Sequence, residues 1–325
     1  VIKPVEFRFR RLRRSAFLRD LVRETRLHTD DFILPLFVEE GIEEPVSIAS
    51  MPGVVRHTEQ GLAQAVQRAW AAGVKAVMLF GVSHHKDEHG ADSWSAEGLM
   101  ARIIATAKSA EPRMLVISDN CFCEYTVHGH CGVVLENDVD NDATLANLAR
   151  QAVIAAEAGA DMIAPSGMMD GTVRVLRDVL DGAGFQHIPI MSYSTKFASA
   201  FYGPFRDAVD SSFKGTRDTY QMDVANGREA LAESLLDEQE GADVLMVKPG
   251  IAFLDVLHNI RQHSSRPLAV YQVSGEYAMI KAAAAAGVIE ERAIVLESLM
   301  AFKRAGADLI ITYFAEQAAA WLQQN

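Results

Sequence analysis

Short apolar runs and alanine-rich stretches of helical period alternate along the whole chain. The runs fall at residues 32–38, 76–80, 114–119, 161–165, 189–193, 243–248, 268–274 and 308–314. Between most of them apolar side chains recur with a 3.6-residue period, as at 61–72, 143–158, 228–239 and 293–305. Near-continuous apolar strands separated by helices predict a parallel sheet covered on its faces. Eight such units predict closure into a (β/α)8 TIM barrel of the α/β class.

A local repeat marks the joints. Gly-Ala-Asp precedes an apolar run at Gly159-Ala160-Asp161, Gly241-Ala242-Asp243 and Gly306-Ala307-Asp308. Glycine can end a helix in the left-handed conformation, after which a strand begins. A doubly wound open sheet is the alternative, but no Gly-x-Gly-x-x-Gly fingerprint follows the first run. Barrel active sites sit at the carboxyl ends of the strands. Those ends carry Asp119-Asn120-Cys121, Ser194-Thr195-Lys196, Lys248-Pro249, Gln272-Val273-Ser274 and Tyr313, so the reactive side chains are expected on one rim.

Composition narrows the class. The 325 residues are 49% hydrophobic and 23% charged, with a formal charge of −12, which argues against nucleic acid as a partner. No apolar run approaches the roughly 20 residues of a membrane-spanning helix, and the arginine-studded start does not read as a secretory leader. A cytoplasmic location is expected. Arg8, Arg10, Arg11, Arg13, Arg14, Arg19, Arg23 and Arg26 crowd the beginning of the chain, interleaved with Phe7, Phe9, Leu12, Phe17, Leu18, Leu21 and Val22. Apolar side chains among arginines read as an arm that docks on a neighbouring subunit. Residues 1–30 are therefore assigned to an N-terminal arm and 31–325 to the catalytic barrel.

Cys121, Cys123 and Cys131 fall within eleven positions and are the chain's three cysteines. An odd, tightly clustered set is a poor disulfide framework and a good zinc site. Three thiolates leave a fourth tetrahedral position for water or substrate, as in catalytic sites. A closed structural site would recruit His128 or His130, and a third possibility is a set of inert buried thiols. His84, His85 and His89 match no ligand spacing, and beside Lys86, Asp87 and Glu88 they read as a solvated loop.

Lysine at a buried strand end is unusual, because an ammonium is costly to bury. Desolvation or a second cation lowers its pKa, and the neutral amine attacks carbonyls. Here two adjacent strands each end in lysine, Lys196 and Lys248. One such residue would suit an aldolase; two suit a pair of carbonyl substrates or a proton-shuttling partner. A long insertion from Phe197 to about Gly227 contains Gly203-Pro204-Phe205-Arg206 and Lys214-Gly215-Thr216-Arg217, reading as a lid whose arginines clamp a carboxylate.

Taken with Ser192-Tyr193-Ser194-Thr195-Lys196-Phe197-Ala198-Ser199 and Gln272-Val273-Ser274-Gly275-Glu276-Tyr277, these features resemble the zinc-dependent branch of the porphobilinogen synthase family over nearly the whole chain. The resemblance implies an α/β barrel that condenses two molecules of 5-aminolevulinate into porphobilinogen in heme and tetrapyrrole biosynthesis. It implies Schiff bases on Lys196 and Lys248, with Lys248 holding the molecule that supplies the propionate side. It further implies carboxylate binding by Arg206 and Arg217 for one substrate and by Ser274 and Tyr313 for the other. Cys121, Cys123 and Cys131 would hold zinc, Glu233 an allosteric magnesium at a subunit boundary, and Asp119 would be a further polar contact. A homo-octamer with embracing arms is implied. A one-lysine aldolase and a non-catalytic zinc-binding assembly protein are the rival readings.

Overall fold

The computed structural model describes residues 7–209 and 216–324. Its centre is a sheet of eight parallel strands: β1 (Phe32–Glu39), β2 (Ala76–Val82), β3 (Leu115–Asn120), β4 (Met162–Pro165), β5 (Met191–Lys196), β6 (Val244–Lys248), β7 (Leu268–Tyr271) and β8 (Leu309–Ile311). The pairing runs β4-β3-β2-β1-β8-β7-β6-β5. A bridge between Ile163 and Ile190 joins the two ends, so the sheet closes into the expected barrel. A strand pair at Val46–Ser47 and Val55–His57 extends the rim beside β1.

Among the described residues, ten helices surround or follow the strands: α1 (Gly61–Ala71), α2 (Leu99–Ala110), α3 (Asn141–Glu157), α4 (Thr172–Gly182), α5 (Gly203–Ala208), α6 (Gly227–Glu240), α7 (Leu254–His263), α8 (Ser274–Ala285), α9 (Glu291–Ala305) and α10 (Ala315–Gln323). Their seating follows from the sequence. In α1 the buried positions are Leu62, Ala65, Val66 and Ala69, one stripe at helical spacing. Asp140 caps α3 by accepting the Ala143 amide at 2.8 Å. All eight residues of β1 are buried, because one face fills the barrel and the other meets the helices.

The Gly-Ala-Asp repeat has a second role. Gly159, Gly241 and Gly306 take positive φ of 102°, 110° and 121° at helix ends, as their lack of a Cβ permits. Each aspartate then grips the neighbouring strand. Asp161, Asp243 and Asp308 accept the amides of Val116, Ile190 and Leu268 at 2.8, 2.8 and 2.9 Å. Their own amides donate to the carbonyls of those same residues. The repeat therefore pins the register of adjacent parallel strands.

Several boundaries differ from expectation. β5 begins later and runs on to Lys196, β7 stops at Tyr271, and β8 stops at Ile311. Ser274 opens α8 rather than ending a strand, and Tyr313 lies in the turn beyond β8. Both segments remain at the carboxyl rim. The N-terminal segment forms a single-turn 3-10 element at Phe9–Arg13 and a short helix at Ala16–Leu21, neither with a buried residue. Ser15 caps that helix, accepting the Leu18 amide at 3.2 Å.

Candidate active site

The site is built at the carboxyl ends of β2 to β6. In the β5–β6 ladder Ser192 pairs with Leu245 and Thr195 with Val247, so Tyr193 and Ser194 together oppose Met246. This bulge resets the alternation of β5. Tyr193 faces the barrel interior, whereas Ser194 and Thr195 both turn outward to Ser234 of α6, at 3.0 and 2.9 Å. Lys196 then faces inward again, directly paired with Lys248.

Both lysines are 5% exposed. The Lys196 ammonium donates to the Ser166 carbonyl at 2.5 Å. Lys248 is surrounded by rings: its Nζ lies 4.3 Å from the Tyr271 centroid, 5.1 Å from Tyr193, 5.2 Å from Phe205 and 5.5 Å from Tyr202. Burial, and after it the charge of Lys196, lower the Lys248 pKa to about 7. Ring faces offset part of the cost of an ammonium there, but they do not accept a proton. The result is a nucleophilic amine near neutrality.

Asp119 is the anionic counterpart. Its Oδ1 accepts the Tyr193 hydroxyl at 2.8 Å and its Oδ2 the Ser166 hydroxyl at 3.1 Å. Burial raises its pKa to about 6, against the opposing pull of Lys248 and Lys196. A cavity of about 210 Å³ opens over these groups, lined among others by Asp119, Cys121, Cys123, Lys196, Lys248, Arg206 and Arg217. The predicted convergence is therefore observed for Asp119, Cys121, Lys196 and Lys248.

Cys121, Cys123 and Cys131 are buried free thiols whose sulfurs lie within 4.8 Å of one another. Hydrogen bonds from Cys121 and Cys123, helped by Arg217 and Lys196, hold the Cys131 thiol well below its usual pKa. Three soft donors gathered in a dry pocket, one of them already favoured as thiolate, fit a metal ion. Neither histidine completes the set: among the described residues the group able to hold a metal is the three cysteines. His130 Nδ1 is instead 3.2 Å from the Tyr220 hydroxyl, and His128 Nε2 is 3.2 Å from the Glu88 carbonyl.

Of the segment expected to form a lid, Arg206 on α5 and Arg217 beyond it line the cavity; Lys214 and Gly215 lie outside the described residues. Arg217 Nη2 donates to the Gly129 carbonyl at 2.9 Å, tying that segment to the cysteine loop. Burial opposes its charge, yet the sulfurs of Cys131 and Cys123 raise its pKa.

The remaining assignments stand further off. Ser274 and Tyr313 are not among the cavity walls. Tyr313 touches the rings around Lys248 through its hydroxyl, 3.2 Å from that of Tyr271, and Ser274 Oγ donates to the Phe201 carbonyl at 3.4 Å. Glu233 lies away from the lysines, in a recess it shares with Asp170 and Asp237; burial and then Asp170 raise its pKa. The loop histidines His84, His85 and His89 are exposed, as expected of a solvated loop, with His84 Nε2 3.1 Å from Glu39 and His85 Nε2 3.6 Å from Glu40. Sequence reasoning missed the aromatic cage of Tyr193, Tyr202, Phe205 and Tyr271. Its one local signal was Tyr193, three residues before Lys196.

A family model described as delta-aminolevulinic acid dehydratase matches residues 6–321. The chain belongs to the delta-aminolevulinic acid dehydratase family. The dehydratase, a lyase by that membership, is 58% identical over 306 residues to the delta-aminolevulinic acid dehydratase of Escherichia coli K12, covering 94% of each chain. It is 51% identical to that of Helicobacter pylori J99, covering 98% of this chain and 99% of the other. Among solved structures, the Toxoplasma gondii ME49 delta-aminolevulinic acid dehydratase (porphobilinogen synthase), in complex with the reaction product porphobilinogen, superposes with a TM-score of 0.96. That match has 46% identity and covers 98% of this chain and 92% of the other. No helix among the described residues of the dehydratase is long and apolar enough to cross a membrane.

Proposed function

We propose that this chain condenses two molecules of 5-aminolevulinate into porphobilinogen, with loss of two waters, in heme and tetrapyrrole biosynthesis. The observation that carries the reading is the pair of buried lysines facing each other across adjacent strand ends, in one cavity with Cys121 and Cys123, whose sulfurs lie within 4.8 Å of that of Cys131. Each amine adds to a substrate ketone and expels water, so the two imines account for both waters lost. Loss of a proton beside one imine gives an enamine carbon that attacks the other imine carbon. The attacked carbon keeps its lysine as a secondary amine until loss of a proton from the neighbouring carbon expels it as the free amine. A substrate amine then displaces the lysine of the other imine, and a last deprotonation yields the aromatic ring with both lysines regenerated.

The chain's own groups serve these steps. Lys248, with its pKa lowered to about 7, is poised to attack, and Asp119, which lines the same cavity as both lysines, takes and returns protons. Arg206 and Arg217 bind the carboxylate of one substrate; Ser274 and Tyr313 bind that of the molecule on Lys248. Cys121, Cys123 and Cys131 would hold zinc, which would supply a Lewis acid to the site. Glu233, beside Asp170 in its recess, binds an allosteric magnesium. The assembly is a homo-octamer, and no nucleic acid or membrane takes part.

Borohydride reduction in the presence of 5-aminolevulinate is expected to add mass to Lys196 and Lys248, and pyrrole formation to stop when zinc is chelated. An enzyme that gave no adduct on either lysine would not be working this way, and activity that survived chelation would favour a one-lysine aldolase.

A further inference from the structure

Glu276 is a carboxylate with no access to solvent and no charged partner in its hydrogen bonds. Its oxygens are instead divided between two loops of the active-site rim. Oε1 accepts the Ile251 amide at 2.5 Å, and Oε2 accepts those of Val273 at 2.8 Å and Gly250 at 3.4 Å. Gly250 and Ile251 follow Lys248 out of β6, whereas Val273 immediately precedes Ser274. Lying in the first turn of α8, the carboxylate also meets the positive end of that helix. A neutral hydrogen-bonding residue would close a helix end at less desolvation cost, so full burial of a carboxylate between these two loops calls for a reason.

We propose that Glu276 is a positioning residue that sets the distance between Lys248 and Ser274, and thereby the length of substrate chain accepted between imine carbon and carboxylate. This rests on the assignment of Lys248 and Ser274 to one substrate molecule. Three amides held by two oxygens of one rigid group fix the two loops to each other, and a small misplacement of a reacting pair is expensive in rate. In Glu276→Gln the amide keeps one acceptor oxygen but presents an NH2 group to a backbone donor, so one loop is released.

The test is borohydride trapping on Lys248 with two ketones of equal length. One is 4-oxopentanoate, the substrate skeleton without its amine; the other is 2-pentanone, which lacks the carboxylate. In E276Q trapping of 4-oxopentanoate is expected to fall at least about tenfold, while 2-pentanone stays within about twofold of the unaltered enzyme. Equal falls for both ketones, or no change for either, would overturn the proposal, because a merely structural role does not distinguish them. If the unaltered enzyme traps neither ketone on Lys248, the imine assignment itself fails and the proposal with it. Should E276Q not fold, Glu276→Asp keeps the charge on a shorter arm and is read by the same ratio.

Discussion

Lys248 shows how one residue's chemistry is set by its neighbours. Burial is the largest influence on it and the charge of Lys196 the next, both lowering its pKa, to about 7, while Asp119 pulls the other way. The neutral amine is the nucleophile, so trapping at Lys248 should rise with pH below about 7 and level off above it. Replacing Lys196 by Met removes the second cation. The Lys248 midpoint should then move upward, since the ammonium loses a repelling neighbour and keeps Asp119. Mass-spectrometric trapping at Lys248 across pH 5 to 9 measures this, and an unmoved midpoint would show that the amines do not sense each other. Stability has its own sign. A lysine with depressed folded pKa binds fewer protons folded than unfolded between about 7 and its ordinary value near 10.4. Unfolding free energy therefore gains from this group as pH rises through that window, and its burial penalty is fully felt below it.

At the scale of elements, most of the barrel was legible because parallel strands buried on both faces leave apolar runs, and helices leave a period. The lysine pair was legible too, as two strand ends in succession. What stayed hidden depends on pairing between strands. Ser194 and Thr195 read as alternating positions, yet the β5 bulge sends both outward to Ser234. The aromatic cage around Lys248 draws on β5, α5, β7 and the turn before α5, which no single window contains. The Gly-Ala-Asp repeat was visible, but its aspartates act on a strand one unit back. Asp243 tests that role best, because Ile190, whose amide it accepts, also makes the bridge that closes the barrel. Asp243→Ala should lower the unfolding free energy by about 1–3 kcal/mol, the cost of leaving a buried donor unsatisfied. Asp243→Asn, with one acceptor left, should lose less. The denaturant midpoint should fall with little change in slope; a D243A protein as stable as the original would show that the register is held elsewhere.

For the whole molecule the governing contrast is between an acidic body and a basic, apolar beginning. The net charge is −12, yet eight arginines lie within the first 26 residues. Phe7, Phe9, Phe17 and Leu21 among them are 81%, 82%, 85% and 78% exposed. Burying such a side chain is worth about 1.5–3 kcal/mol, so leaving four of them in water is a strong drive towards a partner surface, and arginines select an acidic one. Another copy of this acidic chain offers that surface, which is why we assign the arm to subunit contacts. Removing residues 1–30, or changing Phe17 and Leu21 together to Glu, should reduce the assembly to smaller particles by sedimentation velocity. High salt should act in the same direction on the arginine contacts, because surface charge pairs are screened. The active cavity is lined by residues between Phe80 and Lys248 of one chain, so the smaller particles should still trap a ketone on Lys248. Particles of undiminished size would remove the arm from the assembly. Smaller particles that no longer trap would instead mean that a neighbouring subunit holds the barrel mouth in its working shape.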